Sequence, residues 1–180
     1  MSLVNAFRHF KTITHHRHLV MKHCFKVGLY KQGLLHDLSK YSPVEFQAGA
    51  KYFQGNLSPN NVEREKLGYS KAWLHHKGRN KHHFEYWIDY GLAEGNMMCG
   101  MEMPVKYVVE MYCDRVSACK NYQKEAYTDD SALKYYNRGK HKYMMHPNTQ
   151  ALLEDMLTYL AEHGEEATNL YIRREILHNK

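Results

Sequence analysis

His36 and Asp37 are adjacent in the sequence, directly after an apolar stretch, and each carries a side chain that binds metal ions. Consecutive residues of an α-helix point about 100° apart, so the two side chains reach one ion only where a helix ends or where the cation lies in the angle between them. A neutral imidazole and a carboxylate together suit zinc, iron, manganese or nickel. The other interpretation is an ordinary helix C-terminus, where the histidine satisfies the last carbonyl groups and the aspartate begins a turn.

Asp114 is a further candidate ligand because it lies in the most apolar segment of the chain, between Cys113 and Arg115. A buried carboxylate is costly unless it is paired or bound to a cation, so the sequence indicates either an internal ion pair or a metal ligand. The same reasoning applies to His16 on the apolar face of an early helix, where a hydrogen-bonded core histidine is the alternative. His23 lies on the same face and competes with His16 as the ligand from this helix.

These candidates form a pattern that is more specific than any one of them. An early histidine, a His-Asp doublet about 20 residues later and an aspartate in a late buried helix place four ligands on three helices. Metal sites in helical bundles are built in this way from inward side chains. The chain also has 14 histidines, several in adjacent pairs, for which metal binding is the first explanation.

Helical periodicity and helix-boundary signals account for almost the whole chain. The predicted helices are one over 13–27, a short one that ends at His36-Asp37, and those over residues 43–53, 58–76, 82–89, 105–122, 130–140, 147–163 and 165–178, with Gly68 a possible break. Ser42 and Glu45 form a capping box at the start of one of them, and residues 91–100 are predicted to be a loop. No alternating strand pattern is present, so we predict an all-α fold with a single domain over residues 1–180.

Composition limits the class of protein. At 180 residues the chain is long enough for one domain with a sizeable core, and no stretch approaches the roughly 20 apolar residues of a membrane span. The first ten residues lack a signal-peptide pattern, so we expect a cytoplasmic protein without a membrane partner. The four cysteines form no Cys-x-x-Cys pair and are expected to be reduced thiols. The net charge of +6 permits a nucleic-acid partner, but the basic residues are scattered among acidic ones and do not favour it.

A basic segment follows the pair His75-His76. Its side chains are those of Lys77, Arg79, Lys81, His82 and His83. A glycine and an asparagine within it suggest a fixed turn, so Arg79, His82 and His83 are predicted to bind an anionic substrate, and the two lysines are predicted to be solvated. Lys40 either faces the same pocket or is a solvated lysine at a helix end. The nearby aromatic side chains, which either wall a ring-sized substrate or pack in the core, are Trp73, Phe84, Tyr86 and Trp87.

The order of the candidate ligands resembles that of a known superfamily. The series His16, His36-Asp37 and Asp114 resembles the HD-domain metal-dependent phosphohydrolases, and the run Leu-Leu-His-Asp-Leu-Ser-Lys is similar to their signature stretch. Three longer strings, residues 32–43, 72–83 and 110–114, resemble a small bacterial and phage family of HD-like proteins with no assigned function. This similarity covers roughly residues 10–150.

The resemblance implies an HD-domain-like helical bundle with a metal site between its central helices. The implied ligands of a first divalent ion (zinc, iron, manganese, nickel or magnesium) are His16, His36, Asp37 and Asp114. His76 is a further candidate ligand, and Asp37 is able to bridge to a second ion. Superfamily members with two ions usually carry another histidine between the doublet and the later histidines. None occurs between His36 and His75, so one ion is expected; Glu45, the nearest polar substitute, is equally explained as a cap.

The activity that the resemblance implies is hydrolysis of a small phosphate ester, with a nucleotide as the first candidate substrate. Asp37 or Asp114 would orient the attacking water, and one histidine of the pair His75-His76 would protonate the leaving oxygen. Arg79 and His83 would bind the phosphoryl oxygens. Two alternatives stay open: a di-iron oxygenase, because some HD proteins resemble inositol oxygenase, and a basic helical nucleic-acid-binding module with a structural metal. The sequence leaves the oligomeric state open.

Overall fold

The protein is described by a computed structural model that covers residues 2–55, 58–92 and 97–178. The α-helices within these ranges are α1 (Leu3–Val27), α2 (Tyr30–Leu35), α3 (Pro43–Lys51), α4 (Pro59–Leu67), α5 (Lys71–Lys77), α6 (Val105–Gln123), α7 (Ser131–Gly139) and α8 (Pro147–Tyr171). Shorter 3-10 turns cover Leu38–Tyr41, Phe84–Trp87, Lys124–Ala126 and Lys140–Lys142, and a π-helical turn covers Ile172–Ile176. The all-α prediction is confirmed.

Local sequence signals explain the helix boundaries. Pro43, Pro59 and Pro147 each occupy the first turn of a helix, where the missing N–H costs nothing. The possible break at Gly68 is confirmed, because this residue has φ 80° and ends α4 three residues before α5 begins. The break between the last two predicted helices lies at Gly164, which has φ 78° and ψ 170° inside α8.

The core lies around α6. This helix packs against α1 on one side and α8 on another, and the largest buried side chains of these three helices form one cluster. Its members include Val20, Cys24, Val27, Val108, Val109, Tyr112, Val116, Leu153, Met156, Leu157 and Leu160. The helices α2 and α3 pack on α1, and α5 packs on α3. The middle of α6, which carries Glu110 and Asp114, faces His36 in the turn after α2 and His82 in the segment after α5.

Three local predictions were wrong. The helix predicted over residues 82–89 is only the 3-10 turn Phe84–Trp87 followed by a two-residue strand, β1 (Ile88–Asp89), which pairs antiparallel with β2 (Cys99–Gly100). The predicted loop over 91–100 therefore ends in a strand; its residues 93–96 lie outside the described ones. The Ser42 side chain makes no capping hydrogen bond, so the predicted capping box does not form. Within the described ranges, no helix is long and apolar enough to span a membrane.

Candidate metal centre

The His36-Asp37 doublet lies at a sharp turn between α2 and the 3-10 turn Leu38–Tyr41. His36 follows the last residue of α2 with φ −51° and ψ 127°, and Asp37 has φ 54° and ψ 23°, in the left-handed region. Aspartate tolerates this conformation better than most residues do. The change of direction lets two adjacent side chains point into the protein, and both are about 98 % buried. The doublet is thus a helix end and a pair of inward side chains at once.

Arg17 of α1 holds this turn in place. Its Nη2 donates to the Leu34 carbonyl oxygen at 2.5 Å and its Nε donates to the His36 carbonyl oxygen at 3.2 Å. These carbonyls belong to the C-terminal end of α2, where no helical N–H is left to bond them. A cation beside a helix C-terminus is also favoured by the helix dipole.

The four ligands implied by the resemblance come together. His16, His36, Asp37 and Asp114, called here the His16 group, each offer one ligand atom, and these atoms all lie within 4.8 Å of one another. His16 Nε2 donates to Asp114 Oδ1 at 2.9 Å. His36 Nε2 lies 3.3 Å from Asp37 Oδ2 and 3.5 Å from Asp114 Oδ1. His23 lies elsewhere, bonded to Asn169 at 3.0 Å, so the geometry selects His16 over His23.

A second group lies on the other side of Asp37. Asp37, His76, His82 and His83, called here the His83 group, also place their ligand atoms within 4.8 Å of one another. Asp37 Oδ1 lies 3.3 Å from His76 Nε2 and 3.5 Å from His82 Nε2, and His83 Nε2 lies 2.9 Å from His76 Nε2. The Oδ2 atom faces His36 instead. One carboxylate therefore presents its two oxygens to two different sets of histidines.

Glu110 of α6 is a site residue that the sequence reasoning missed. Its Oε1 accepts hydrogen bonds from His36 Nδ1 at 2.9 Å and from His82 Nδ1 at 3.1 Å. Binding a histidine by its Nδ1–H leaves the Nε2 lone pair free for a cation, as the outer partners of metal ligands commonly do. The available signal was its spacing: Glu110 precedes Asp114 by four residues, which places both on one face of a helix.

Glu45 of α3 binds the histidine pair His75-His76 by their Nδ1–H groups in the same way. Its two oxygens accept from His75 Nδ1 at 2.6 Å and from His76 Nδ1 at 2.7 Å. From the sequence, Glu45 was either a metal-site residue or a helix cap. Its carboxylate bonds to the two histidines, so it does not act as the cap. His76 Nδ1 has further contacts with Ser39 at 3.2 Å and Asn80 at 3.1 Å, so its ring orientation is fixed from several sides.

Three buried polar atoms between the two groups have no hydrogen-bond partner among the described residues. They are His36 Nε2, Asp37 Oδ1 and His82 Nε2. An unsatisfied buried polar atom costs about 1–3 kcal/mol, and a cluster of three in one place requires an explanation such as an ion. All three atoms lie around the Asp37 carboxylate, where the His16 group and the His83 group meet. The residues present therefore fit a divalent cation. The imidazole-rich donor set suits zinc, iron, manganese or nickel better than magnesium.

The charges of the cluster are strongly coupled. Burial alone would raise the pKa of Asp37, but the neighbouring His36, Lys40 and His76 hold it well below its usual range. Burial likewise opposes the charged form of His36, yet Asp37, Asp114 and Glu110 raise its pKa well above the ordinary value. The carboxylates are thus held in the anionic form that a cation needs.

A comparison with known protein families finds a family whose model matches most of the chain. The model of the "Family of unknown function (DUF5662)" matches residues 5–159. The chain belongs to this family. No curated protein and no solved structure matches it. The matched span begins in α1 and ends in α8, so the candidate metal centre is part of the DUF5662 domain.

The other predicted site residues of this DUF5662 protein divide into two sets. Lys40 Nζ lies 2.6 Å from Asp37 Oδ2, so Lys40 faces the centre. His82, predicted to bind substrate, lies among the ligand atoms themselves. His75 is held by Glu45 and lies outside the ligand groups of the described residues. Arg79 is exposed and donates to the His75 carbonyl oxygen at 3.4 Å, so the structure does not bring it to the centre.

The aromatic residues near the site also have separate positions. Trp73 packs against the His76 and His83 rings, with centroid distances of 5.6 and 4.8 Å. Phe84 is buried against Tyr143 in the core. Trp87 donates from its indole N–H to the Lys81 carbonyl oxygen, and Tyr86 packs against Trp87. These side chains therefore pack in the core or against the segment that carries His82 and His83.

Proposed function

We propose that this protein is a metal-dependent hydrolase of a small phosphate ester, in which the His16 group and the His83 group, with Asp37 common to both, would hold divalent cations. The observation that carries the proposal is the position of Asp37, whose two oxygens face separate groups of buried histidines. The resemblance to HD-domain phosphohydrolases supports the same reaction class. Metal-assisted hydrolysis often uses two cations that share a ligand.

The proposal has two cations, whereas the sequence predicted one. One ion was expected because no histidine lies between His36 and His75. The further donors come later in the chain instead, since His82 and His83 join His76 around Asp37 Oδ1. Each group then supplies four donor residues, with Asp37 counted in both.

Bound divalent cations would polarise a phosphoryl oxygen and lower the pKa of a bound water. The protein's own groups do the rest. Lys40, beside Asp37, provides a positive charge for a phosphoryl oxygen. Glu45 holds His76 by its Nδ1–H, which keeps the His76 Nε2 directed at Asp37. His75 shares the same carboxylate and is the histidine left to hold a proton for the leaving oxygen.

The test combines metal content with activity. The purified protein is loaded with manganese, zinc or iron and assayed on phosphomonoesters, cyclic nucleotides and nucleoside triphosphates. We expect about two ions per chain in the wild type, fewer in Asp37→Ala, and a loss of about 100-fold or more of the activity in that variant. The exposed His15 supplies a matched control, His15→Gln, which should leave both quantities unchanged. An inactive wild type with every metal, together with an unaltered metal content in Asp37→Ala, would reject the proposal.

A di-iron oxygenase is the second candidate, and one observation favours it. A di-iron enzyme needs ligands for two ions, and the sequence predicted ligands for only one. The structure brings a second group of possible ligands together, namely Asp37, His76, His82 and His83. Iron in the protein as isolated, with oxygen uptake on a polyol and no phosphate release from any ester, would favour this activity over hydrolysis.

A further inference from the structure

A cleft opens beside the candidate metal centre, between α1, α3 and the start of α4. Its cavity volume is about 100 Å³, which is small beside the pockets of drug-sized ligands and suits a small leaving group. Lys40, Glu45 and His76 form the wall nearest to the metal-binding groups. A substrate whose phosphate lies at the centre would therefore place its remaining atoms in this cleft.

His9 lines the cleft and has no assigned role. It lies two helical turns before His16 on the same face of α1, and it is only 7 % exposed. Its ring contacts Phe46 and Phe53, with centroid distances of 5.5 and 5.9 Å. Neither ring nitrogen hydrogen-bonds to any of the described residues. The ring lies at the cleft wall, so its nitrogens are placed to hydrogen-bond a ligand in the cleft.

Gly49 is required for this position of His9. A Cβ atom at residue 49 would lie 2.1 Å from His9 Nε2, far inside contact distance. The glycine thus opens the space in which the imidazole lies at the cleft wall. Burial, helped by the charge of Lys40, lowers the pKa of His9 to about 4. The neutral ring then offers one donor and one acceptor, a set that matches hydroxyl groups better than phosphate oxygens.

The charges in the cleft limit the number of phosphate groups. Lys40 is the one lysine or arginine on the lining within the described ranges, and it already pairs with Asp37. Glu45 adds a negative charge on the same wall. A di- or triphosphate would therefore bring more negative charge than the cleft can pair. A single phosphate at the centre avoids this cost.

The neutral part of the lining is mixed, with apolar and aromatic surface from Ile13, Phe53, Pro59 and Tyr122 beside polar groups. Thr12, Ser58 and Asn60 contribute hydroxyl and amide groups. Trp73 and Trp87, for which the sequence left open a substrate wall or core packing, are not on the lining. The hydroxyl and amide groups, together with the small cavity volume, favour a small leaving group that carries hydroxyls.

We propose that the cleft binds the leaving group of a sugar or polyol monophosphate and that His9 selects it by hydrogen bonds to its hydroxyl groups. The inference rests on the proposed hydrolase function and names its substrate class. In it His9 contacts the substrate without acting on the phosphate.

The first experiment is steady-state kinetics with the metal-loaded protein on ribose 5-phosphate, adenosine 5′-monophosphate and p-nitrophenyl phosphate. His9→Leu should raise the KM for ribose 5-phosphate about tenfold, the loss expected for one or two neutral hydrogen bonds, with little change in kcat. Hydrolysis of p-nitrophenyl phosphate, which has no hydroxyl group on its leaving group, should not respond to the substitution. Gly49→Ala, which displaces His9, should reproduce the effect. The matched control on the exposed face of α1, His15→Leu, should change nothing.

A second experiment separates this inference from the hydrolase proposal. Binding of ribose 5-phosphate is measured as a shift in melting temperature, with the folding of each variant checked by circular dichroism. Stabilisation of the wild type but not of His9→Leu, without hydrolysis of any ester, would support the cleft assignment and reject hydrolysis. Active hydrolysis of p-nitrophenyl phosphate with equal KM changes for all three substrates in His9→Leu would overturn the cleft assignment. A preference for adenosine 5′-monophosphate of about 100-fold over ribose 5-phosphate would overturn it as well.

Discussion

At the scale of single residues, the candidate centre depends on carboxylates that serve histidines in pairs. Glu110 accepts from His36 and His82, and Glu45 accepts from His75 and His76. Each acid fixes which nitrogen of a ring carries the proton, and for His36, His76 and His82 the remaining nitrogen lies on the side that faces Asp37. The buried atoms left without partners, such as His36 Nε2, are a consequence of this arrangement.

Glu110→Gln tests this role with almost no change in shape. The amide oxygen can still accept one hydrogen bond, but the negative charge that makes His36 and His82 stronger ligands for a cation is lost. We expect metal affinity to fall about 10- to 100-fold, the range for outer partners of metal ligands, measured by competition with a chelating dye. Glu65, an exposed acid on α4, provides the control Glu65→Gln. Equal affinities in the two variants would contradict the assignment.

At the scale of elements, the centre is built where secondary structure ends. Asp37 enters the site because the chain leaves α2 in a left-handed conformation, and His82 and His83 enter it from the segment between α5 and the 3-10 turn Phe84–Trp87. Only His16 and the α6 acids project from long helices. The turn after α2 is tied to α1 by Arg17, which donates to the Leu34 and His36 carbonyl oxygens.

Arg17→Met removes that support while it keeps an unbranched side chain over the same surface. The carbonyls of Leu34 and His36 lose a charged donor, so we expect a loss of about 1.5–3 kcal/mol in the free energy of unfolding and weaker metal binding. Urea unfolding and metal titration measure the two effects. Arg8→Met, an exposed substitution on the same helix, is the control. Unchanged stability in Arg17→Met would show that the turn is held by other contacts.

The length of each element decided how well the sequence could predict it. Periodicity located the long helices because an amphipathic face repeats over many residues, and it placed His16 and His23 alike on one apolar face and Asp114 inside the most apolar helix. The preference for His16 as a candidate ligand came from the family resemblance, and His36 was singled out by its pairing with Asp37. Glu110 escaped notice because a glutamate on a helix is ordinarily solvated. The strands β1 and β2 have two residues each, too few for any period, so they depend on tertiary packing. The positions of His82 and His83 depend on it in the same way.

At the scale of the whole molecule, the candidate centre and the apolar core share α1 and α6 but lie at different points along them. His16 of α1 faces the centre, whereas His23, two turns further on, contacts Tyr112 and donates to Asn169 of α8. Beside it, Lys26 and Lys120 both bond to Glu165. One face of α1 thus changes from ligand support to core packing within seven residues.

His23 makes the stability of the whole fold depend on pH. Burial lowers its pKa to about 4, and Lys120 and Lys26 act in the same direction against Glu165 and Asn169. The unfolded histidine has a pKa near 6.5, so between pH 6.5 and 4 the unfolded chain binds a proton that the folded chain excludes. Stability is therefore complete above pH 6.5 and is lost as the pH falls toward 4.

His23→Gln isolates this contribution, because the amide can still bond to Asn169 but does not titrate. At pH 4.5 the wild type should have lost about 2–3 kcal/mol more of its free energy of unfolding, relative to pH 7.5, than the variant loses. Urea unfolding in the presence of a chelator measures both, so that metal binding does not add its own pH dependence. The comparison is between the two losses and not between absolute stabilities, so any general weakening of the variant cancels. Equal losses in the two proteins would mean that His23 is protonated in the fold, and the acid sensitivity would then have to come from other buried histidines such as His9.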